Sequence, residues 1–470
     1  MVGLIGPMSP ISLMSPIGPI SPIGLMSLIP SYLPKNKQHI MHSSLFIRNY
    51  SDYTARVASL VLAILTSVST FAADKVTVTI SNRLDAPRLE MAEVNMQEVL
   101  VKLNTAEVVV TDADGRELAS QQTYDGKLIF QVGVAAKGKS VYYVKPGKPS
   151  AYEPKVFGRQ FPERVDDIAW ENDRVAFRCY GPALQKSGER AWGYDVWNKN
   201  TSRLVVEERY RNELDPNISA ATRRLRELGH GDLADDVYNA VSYHVDHGTG
   251  MDCYKVGPTL GCGTPALLTD NGGTIAYPRC YKDFKILDNG SLRFTVQLTY
   301  GTESVDGMDI TETRIVSLDA GSQLNRTSVT YQGMTHQLPV AVGIIVHNEN
   351  PTAYVMNQRD GYMGYEDLGD PNQYKEKYRA VQNKTFGQIY VGAVFPQSVT
   401  KMQYKDETGL PGATGHILAV NDKQQNTLTY YFGSGWSRNA ETGFNSLAAW
   451  EAYLNRFARQ VRNPLKITLK

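Results

Sequence analysis

Lys75-Val76-Thr77-Val78-Thr79-Ile80 alternates polar and apolar side chains with a period of two. Successive side chains of a β-strand point to opposite faces, so this alternation predicts a strand with one buried face. More continuously apolar runs follow at 107–111 and 127–132, and Asp112-Ala113-Asp114-Gly115 between them is a typical turn sequence. This part of the chain therefore predicts strands joined by hairpins.

Similar runs recur along the rest of the chain. They predict strands at 174–178, 203–207, 292–298, 312–316, 327–331, 340–346, 388–394 and 427–432, and a closing strand at Lys466–Leu469. Strands this frequent, mostly separated by turn residues, favour a sandwich over alternating βαβ units. The predicted fold class is mostly β, an antiparallel β-sandwich with a few helices.

Two helices are predicted, at 220–228 and at 446–461 near the C-terminus. In the second, apolar residues recur at helical spacing and form one face: Leu447, Trp450, Leu454, Phe457 and Val461. We interpret this stripe as core packing.

The composition is that of a globular protein with no excess charge. Lys and Arg number 49 against 48 Asp and Glu, a net charge of +1, so no overall field attracts nucleic acid. With 42% apolar and 21% charged residues, the main body is neither disordered nor fibrous. The 27 tyrosines beside 39 glycines and 23 prolines favour a turn-rich β protein.

The N-terminal part reads differently from the rest. Residues 1–40 repeat Ser-Pro-Ile-Gly motifs and cannot form a regular element, because proline removes backbone donors every few residues. They are either a low-complexity linker or sequence translated from a start codon upstream of the true one. Residues 41–73 have the basic, apolar and small-residue order of a signal peptide, with an uncut signal anchor as the alternative.

The predicted mature protein starts near Asp74 and is periplasmic or secreted. We expect no membrane contact after cleavage, because no other stretch approaches the ~20 apolar residues of a spanning helix. The Pro- and Lys-rich segment 145–149 is the best candidate for a domain boundary. It separates an N-terminal β segment, 74–150, from a larger domain, 151–470.

Four cysteines lie in the predicted mature chain: Cys179, Cys253, Cys262 and Cys280. An even number in an exported protein permits disulfides, and Cys253 with Cys262 would close a short ring. Free buried thiols are the alternative. None of the spacings is that of a zinc site.

Candidate catalytic residues concentrate in one glycine-rich stretch, 243–263. It contains His244, His247, Tyr254 and Lys255, and its glycines imply irregular backbone that can approach a ligand closely. The stretch has neither a P-loop nor an HExxH pattern. We predict no cofactor; a divalent metal bound by the two histidines and Asp246 is the alternative to a carboxylate that orients one imidazole ring.

Two further segments supply candidate substrate-binding residues. Arg178 and Tyr180 share one face of a predicted strand, and a guanidinium can bind a carboxylate with two parallel hydrogen bonds. An arginine that merely covers a tyrosine ring is the alternative. The stretch 192–197 adds Trp192 and Asp195, aromatic and polar surface suited to a sugar, although core tryptophans look the same in sequence.

The chain also resembles a known family. The stretches DDIAWENDRVAFRCYGPAL, YHVDHGTGMDCYKVGPTLGCG, ETRIVSLDAGSQLNRTSVTY and VRNPLKITL are similar to a family of exported bacterial proteins of unknown function, associated with polysaccharide-degradation gene clusters. The resemblance runs from about residue 74 to 470. It implies a β-supersandwich of the galactose-mutarotase-like group, with 151–470 as the catalytic domain, and similarity to dehydratases of uronic-acid oligosaccharides.

The resulting hypothesis is a carbon–oxygen lyase that eliminates water from the non-reducing-end uronate of an oligosaccharide. Such a reaction needs a cation for the carboxylate, a base for the C5 proton and an acid for the 4-hydroxyl. Arg178 or Lys255 suits the first role, His244 or His247 the second, and Tyr254 or the other histidine the third. The alternatives are a polysaccharide lyase that uses the same elimination and a non-catalytic carbohydrate-binding protein; no convincing carboxylate pair favours a glycoside hydrolase.

Overall fold

The computed structural model describes residues 73–369, 386–407, 409–422 and 427–470, and Ala72–Lys470 form one compact unit. The Pro-rich segment and the predicted signal peptide, apart from its last residue Ala73, lie outside the described residues. None of the helices in the described ranges is long and apolar enough to cross a membrane.

The N-terminal part consists of two small antiparallel sheets. The first contains β1 (Val76–Ser81), β3 (Val108–Thr111), β4 (Glu117–Leu118), β7 (Lys139–Pro146) and β25 (Lys466–Leu469), in the order β25-β1-β7-β3-β4. The second contains β2 (Arg88–Asn95), β5 (Ser120–Gln122) and β6 (Lys127–Val134), in the order β2-β6-β5. Helix α1 (Met96–Leu103) contributes Met96, Val99 and Leu103 to the apolar core that these sheets share. The closing strand is confirmed, because β25 pairs with β1.

A four-stranded sheet follows. It contains β8 (Val156–Phe161), β9 (Asp167–Asn172), β10 (Ala176–Cys179) and β11 (Asp195–Trp197), in the order β11-β10-β9-β8. Four helices lie in this part of the sequence. Helix α2 (Pro182–Lys186) lies between β10 and β11, and α3 (Val206–Glu213), α4 (Pro216–Glu227) and α5 (Gly231–Asn239) follow β11.

Two larger sheets complete the fold. The five-stranded sheet contains β12 (Cys262–Thr269), β13 (Thr274–Ala276), β18 (Val340–His347), β22 (Lys401–Asp406) and β23 (Ala413–Asn421), in the order β13-β12-β18-β23-β22. The eight-stranded sheet contains β14 (Asp283–Asn289), β15 (Arg293–Val305), β16 (Met308–Asp319), β17 (Leu324–Gln332), β19 (Tyr354–Asn357), β20 (Tyr362–Leu368), β21 (Gln388–Val394) and β24 (Thr427–Trp436), in the order β14-β15-β16-β17-β24-β21-β20-β19.

One apolar core includes residues of both large sheets, among them Ile344 of β18, Val316 of β16 and Phe432 of β24. Strand β18 is buried at every position, which explains why its sequence is continuously apolar rather than alternating. The pairings in all five sheets are antiparallel, so the predicted mostly-β antiparallel sandwich is confirmed.

The C-terminal helix α6 (Leu447–Arg462) packs on β20 and β21. Its N-cap is Ser446, whose side chain accepts a hydrogen bond from the Ala449 N–H. Trp450 and Leu454 lie over the cross-strand pair Gly364 and Gly392, where an added Cβ would come within about 3 Å of them. The predicted apolar stripe is therefore core packing, as expected.

One predicted strand, 203–207, is wrong. Helix α3 begins inside it, because the buried carboxylate of Glu171 accepts hydrogen bonds from the N–H groups of Val205 and Val206, both at 2.7 Å. Glu171 thereby satisfies backbone donors at the start of the helix, a role that local strand propensity cannot reveal. The predicted helix at 220–228 is confirmed within α4, which begins earlier, at Pro216 behind the N-cap Asp215.

Candidate functional site

The glycine-rich stretch 243–263, called the glycine loop below, runs along the free edge of the four-stranded sheet. Its backbone pairs with the strand β11 region through Met251 and Asn198, which exchange hydrogen bonds of 2.9 and 3.0 Å. Gly250 has a φ of +102°, and an added Cβ would lie 2.1 Å from the Asn198 carbonyl oxygen. Only glycine allows this close approach. The predicted irregular backbone is thus confirmed, and the loop is held against β11.

A buried charged group lies where this loop meets strands β9, β10 and β11. We call it the Arg178 cluster: Asp167, Arg178, Tyr180, Asp195 and Asp252. The Arg178 Nε atom donates to Asp195 at 2.8 Å, and its Nη2 atom donates to Asp252 at 2.8 Å and to the Tyr180 hydroxyl at 3.0 Å. Asp167 lies 3.8 Å from Nη1. Three carboxylates therefore surround one guanidinium.

The excess of carboxylates shifts their protonation. Burial raises the pKa of Asp167 from 3.8 to about 6, against the opposing pull of Arg178. Burial and the neighbouring charge of Asp252 also raise the pKa of Asp195. Both shifts follow from the cost of holding several negative charges in a low-dielectric interior. The cluster can therefore hold a proton close to neutral pH.

His244 connects this cluster to solvent. Its side chain is 32% exposed, and its Nδ1 atom lies 3.1 Å from the Asp252 carbonyl oxygen and 3.6 Å from the Asp252 carboxylate. A carbonyl oxygen can only accept a hydrogen bond, so Nδ1 carries the proton in this contact and Nε2 is the basic nitrogen of the neutral ring. The buried Asp252 carboxylate thus lies on the Nδ1 side of the ring, opposite the basic Nε2 atom.

Tyr243 and Arg164 complete this side of the site. The Tyr243 ring lies 4.6 Å from the His244 ring, and its hydroxyl accepts from Arg164 Nε at 3.2 Å and from Arg178 Nη1 at 3.5 Å. Tyr243 is buried, whereas Arg164 is half-buried. Arg164 is thus a cation of this group with surface that a substrate can reach.

The next part of the glycine loop contacts a second histidine. Tyr254 is buried, and its ring meets His347 edge to face at 5.8 Å. The His347 Nδ1 atom lies 2.9 Å from the Asp367 carboxylate, and the ring also donates to the Lys255 carbonyl. Burial alone lowers the pKa of His347, but the charge of Asp367 and these hydrogen bonds raise it overall.

A third histidine fixes the end of the loop. His416 is fully buried, and its Nε2 atom accepts a hydrogen bond from the Leu260 N–H at 3.1 Å. Nδ1 must then carry the proton, which it donates to Glu407. Burial lowers the pKa of His416, consistent with a neutral ring. His416 therefore positions the loop and is not a titrating group of the site.

The structure brings four predicted site residues together. Arg178, Tyr180 and Asp195 meet in the Arg178 cluster, and His244 lies at its edge. The place of Arg178 does not fit the predicted binding of a substrate carboxylate, because its side chain is 4% exposed and already neutralised by aspartates.

Tyr254 is also placed differently from its predicted role. Tyr254 is too deeply buried to protonate a leaving group in a cleft, and it packs beside His347 instead. His247 is exposed, and its Nε2 atom contacts the Ser242 carbonyl at 3.0 Å.

Trp192 lies against Tyr277, and Lys255 lies against Gly412. Trp192 is half-buried, with its ring 4.9 Å from that of Tyr277, which forms an accessible aromatic pair. Lys255 is half-buried, and its Nζ atom lies 2.7 Å from the position of an added Cβ on Gly412.

Several residues of the site were not predicted from the sequence. Asp252 lies inside the glycine loop and Asp167 inside the stretch DDIAWENDRVAFRCYGPAL, so their neighbourhood was a usable signal. Arg164 precedes one of these segments, and its role depends on Tyr243. His416 and Glu407 lie in ordinary strand and loop sequence, without a local signal.

All four cysteines are free, buried thiols. The Cys253 sulfur accepts a hydrogen bond from Asn198 Nδ2 at 3.2 Å, and the Cys262 thiol contacts the Gly433 carbonyl at 3.5 Å. The predicted Cys253–Cys262 disulfide is therefore absent, and the alternative of free buried thiols is realised. Across the described ranges, no three His, Cys, Asp or Glu side chains are grouped as a metal site.

A family model described as "Domain of unknown function (DUF4861)" matches residues 80–467, which include every residue of the site. The chain belongs to this family. A relative of this DUF4861 protein is "Uncharacterized protein P7" of Formosa agariphila, 24% identical over 416 residues, which cover 84% of the chain and 93% of the relative. The expected membership of a family of unknown function is confirmed.

Two solved structures resemble this DUF4861 protein at low similarity. They are an alpha-mannosidase from Enterococcus faecalis V583, with a TM-score of 0.44, and a protein in the Glycosyl Hydrolase Family 38 from Enterococcus faecalis, with a TM-score of 0.41. Each is 10% identical and covers 90% of the chain. The chain spans about half the length of both, 49% and 51%.

Proposed function

We propose that this DUF4861 protein is an oligosaccharide dehydratase that eliminates water from a non-reducing-end uronic acid and leaves a 4,5-unsaturated uronate. The observation that carries the proposal is the exposure and hydrogen bonding of His244. It is a partly exposed imidazole whose Nδ1 side is held by Asp252 and whose Nε2 atom is the basic one. A base held in this way, beside a group of arginines, suits removal of a proton next to a carboxylate.

The His244 imidazole makes both proton transfers of the proposed reaction. His244 Nε2 takes the C5 proton, the C5–H electron pair becomes the second C4–C5 bond, and the C4–O bond breaks. The departing hydroxide then takes the same proton from Nε2 and leaves as water. The ring ends neutral, as it began, and the Asp252 carboxylate stabilises the imidazolium between the two transfers.

The substrate carboxylate needs a cation, because negative charge builds up on it when C5 loses its proton. We assign this role to Arg164 rather than to Arg178. Arg164 is half-buried and anchored through its Nε to the Tyr243 hydroxyl at 3.2 Å. A guanidinium can bind a carboxylate with two parallel hydrogen bonds, which fixes the sugar relative to the base.

The proposed reaction belongs to the breakdown of acidic polysaccharides outside the cytoplasm. The signal-like segment 41–73 supports export to the periplasm or the medium. The half-buried aromatic pair Trp192 and Tyr277 is a surface on which further sugar rings of the oligosaccharide can stack. No cofactor enters the proposed steps.

The test is incubation of the purified protein with uronate-terminated oligosaccharides. We expect ultraviolet absorbance from a new carbon–carbon double bond and a product mass lower by one water, at unchanged chain length. His244→Gln should reduce the rate by about 10²–10⁴-fold, the usual contribution of a general acid–base group. The matched control is His336→Gln: His336 is another exposed histidine, bonded to Asp306 at 2.8 Å, and its loss should leave the rate within about twofold.

Other outcomes assign other functions. A double bond on a shortened chain identifies a polysaccharide lyase, in which a sugar replaces hydroxide as the leaving group. Binding of the oligosaccharide that depends on Trp192, without any product, identifies a carbohydrate-binding protein. A dehydratase whose rate is unaffected by His244→Gln contradicts the catalytic assignment.

A further inference from the structure

A second charged surface lies on the first N-terminal sheet and plays no part in the proposed reaction. At one end of the outer face of β25, β1 and β7 there is an open groove of about 600 Å³. Its cations are Arg83, Lys137, Lys139, Lys466 and Lys470, called the lysine groove below, and all five are exposed. Among the described residues that line it, none is acidic.

The strand register explains why these lysines share one face. Ser81 pairs with Lys139 on one side and with Lys466 on the other, so the three side chains stand in one row across the sheet. Side chains two residues apart along a strand lie on the same face. Lys466 and Lys470 therefore point the same way, roughly 13 Å apart along β25.

Hydroxyl groups fill the surface between the cations. Thr79 and Thr468 are paired across β1 and β25, and both line the groove on the outer face of the sheet. The alternate residues of β1, Val76, Val78 and Ile80, are buried in the core. The exposed face thus offers ammonium groups at regular intervals with neutral donors between them, while the inner face holds the sheet rigid.

We propose that the lysine groove binds a polysaccharide that carries carboxylate or sulfate groups. An extended polyanion can contact several of these cations at once, and a rigid sheet presents them without loss of backbone freedom. The proposal rests on the proposed function only in choosing a polysaccharide among polyanions. The groove would keep the protein on its polymer, separately from the site at His244.

The lining favours a polysaccharide over a nucleic acid or a membrane. Among its described residues there is no aromatic side chain on which bases could stack and no apolar side chain that could enter a bilayer.

The experiment measures binding of the full protein to four polymers by affinity electrophoresis: polygalacturonate, dextran sulfate, neutral dextran and single-stranded DNA. The triple variant Lys139→Gln, Lys466→Gln, Lys470→Gln removes three exposed charges and keeps the backbone pairing. We expect binding to at least one anionic polysaccharide and none to neutral dextran, with affinity about tenfold weaker in the triple variant. Binding should also weaken with added salt.

The matched control removes three exposed lysines elsewhere: Lys102→Gln, Lys155→Gln, Lys285→Gln. It has the same net charge as the triple variant and should bind like the unaltered protein. A preference for polygalacturonate or for dextran sulfate identifies the anionic group. Equal weakening in both variants, no binding to either anionic polysaccharide, or tighter binding to DNA overturns the proposal.

Turnover of short oligosaccharides separates this inference from the proposed function. The triple variant should keep the full rate on them, because the groove is not part of the catalytic site. Polymer binding without turnover supports the groove proposal and contradicts the proposed dehydratase. Turnover without polymer binding supports the dehydratase and contradicts the groove proposal.

Discussion

Two buried arginines of this protein have opposite surroundings. Arg314 on β16 is fully buried and paired with one carboxylate, Glu312, and it also donates to the Tyr300 hydroxyl at 2.7 Å. Arg178 has three carboxylates around it and contacts the partly exposed His244 through Asp252. A balanced ion pair inside the core has a structural role, whereas an excess of buried carboxylates beside an accessible histidine can take part in proton transfer.

The largest expected effect comes from removing each arginine. Arg314→Met leaves Glu312 as an uncompensated buried charge and should lower the free energy of unfolding by about 3–5 kcal/mol. Arg178→Met should cost a similar amount at pH 8 but less at pH 5, because Asp167 and Asp195 have raised pKa values and take up protons more readily. Urea denaturation at both pH values measures the losses.

The control for this comparison is the double variant Arg314→Met, Glu312→Gln, which removes both charges of the balanced pair. It should recover most of the lost stability, because no buried charge is left unpaired. An Arg178→Met loss that is the same at both pH values would show that the aspartates do not take up protons.

Local patterns predicted most of the fold. Alternation and continuous apolar runs identified strands such as β21 (Gln388–Val394) and the stripe of α6, because these signals depend only on near neighbours in the chain. The strand predicted at 203–207 failed because the buried carboxylate of Glu171, more than thirty residues earlier in the chain, satisfies the N-terminus of α3.

The site was predicted in part for the same reason. Arg178 and Asp195 could be singled out as polar residues in aromatic sequence, and the pairing of β10 with β11 then places them side by side. The sequence cannot show that this face is buried rather than open, since burial depends on what packs over the sheet. The Leu260–His416 contact joins residues 156 positions apart, beyond the range of any local pattern.

A second prediction concerns the pH dependence of stability. Because burial raises the pKa of Asp167 from 3.8 to about 6, the folded state binds this proton more tightly than the unfolded state. The group therefore destabilises the folded protein progressively as the pH rises from about 4 to 6, by up to about 3 kcal/mol. Asp167→Asn removes this cost, so the variant should gain stability relative to the unaltered protein over that range.

Asp85→Asn is the control with the opposite sign. The hydrogen bond from Arg459 lowers the pKa of Asp85, so this carboxylate stabilises the folded protein once it is ionised, and its loss should matter more at higher pH. Unfolding curves at pH 3, 4, 5, 6 and 7 measure both slopes, the Asp85 slope below about pH 5 and the Asp167 slope between about pH 4 and 6. Parallel curves for Asp167→Asn and the unaltered protein would contradict the raised pKa.

The smallest expected change in stability comes from the tyrosines that contact the two arginines, and it distinguishes the two groups most clearly. The Tyr180 hydroxyl accepts from Arg178 at 3.0 Å and donates to Asp195 at 3.0 Å, while the Tyr300 hydroxyl accepts from Arg314 at 2.7 Å. Tyr180→Phe and Tyr300→Phe each remove one buried hydroxyl and should each cost about 1–2 kcal/mol of stability. Only Tyr180→Phe changes the group that holds Asp252 beneath His244.

Tyr180 is a positioning residue for the proposed elimination, so its loss should shift the pH profile of the reaction as well as lower its rate. Without the Tyr180 hydrogen bond the pKa of Asp195 rises further, since that bond now lowers it. A protonated Asp195 binds Arg178 less strongly, so the guanidinium pairs more tightly with Asp252 and competes with His244 for that carboxylate. The part of the acidic limb that follows protonation of Asp195 should therefore move to higher pH in Tyr180→Phe and stay in place in Tyr300→Phe. Rates on uronate-terminated oligosaccharides, corrected for the folded fraction, measure both limbs; equal shifts in the two variants would mean that the Arg178 cluster is as purely structural as the Arg314 pair.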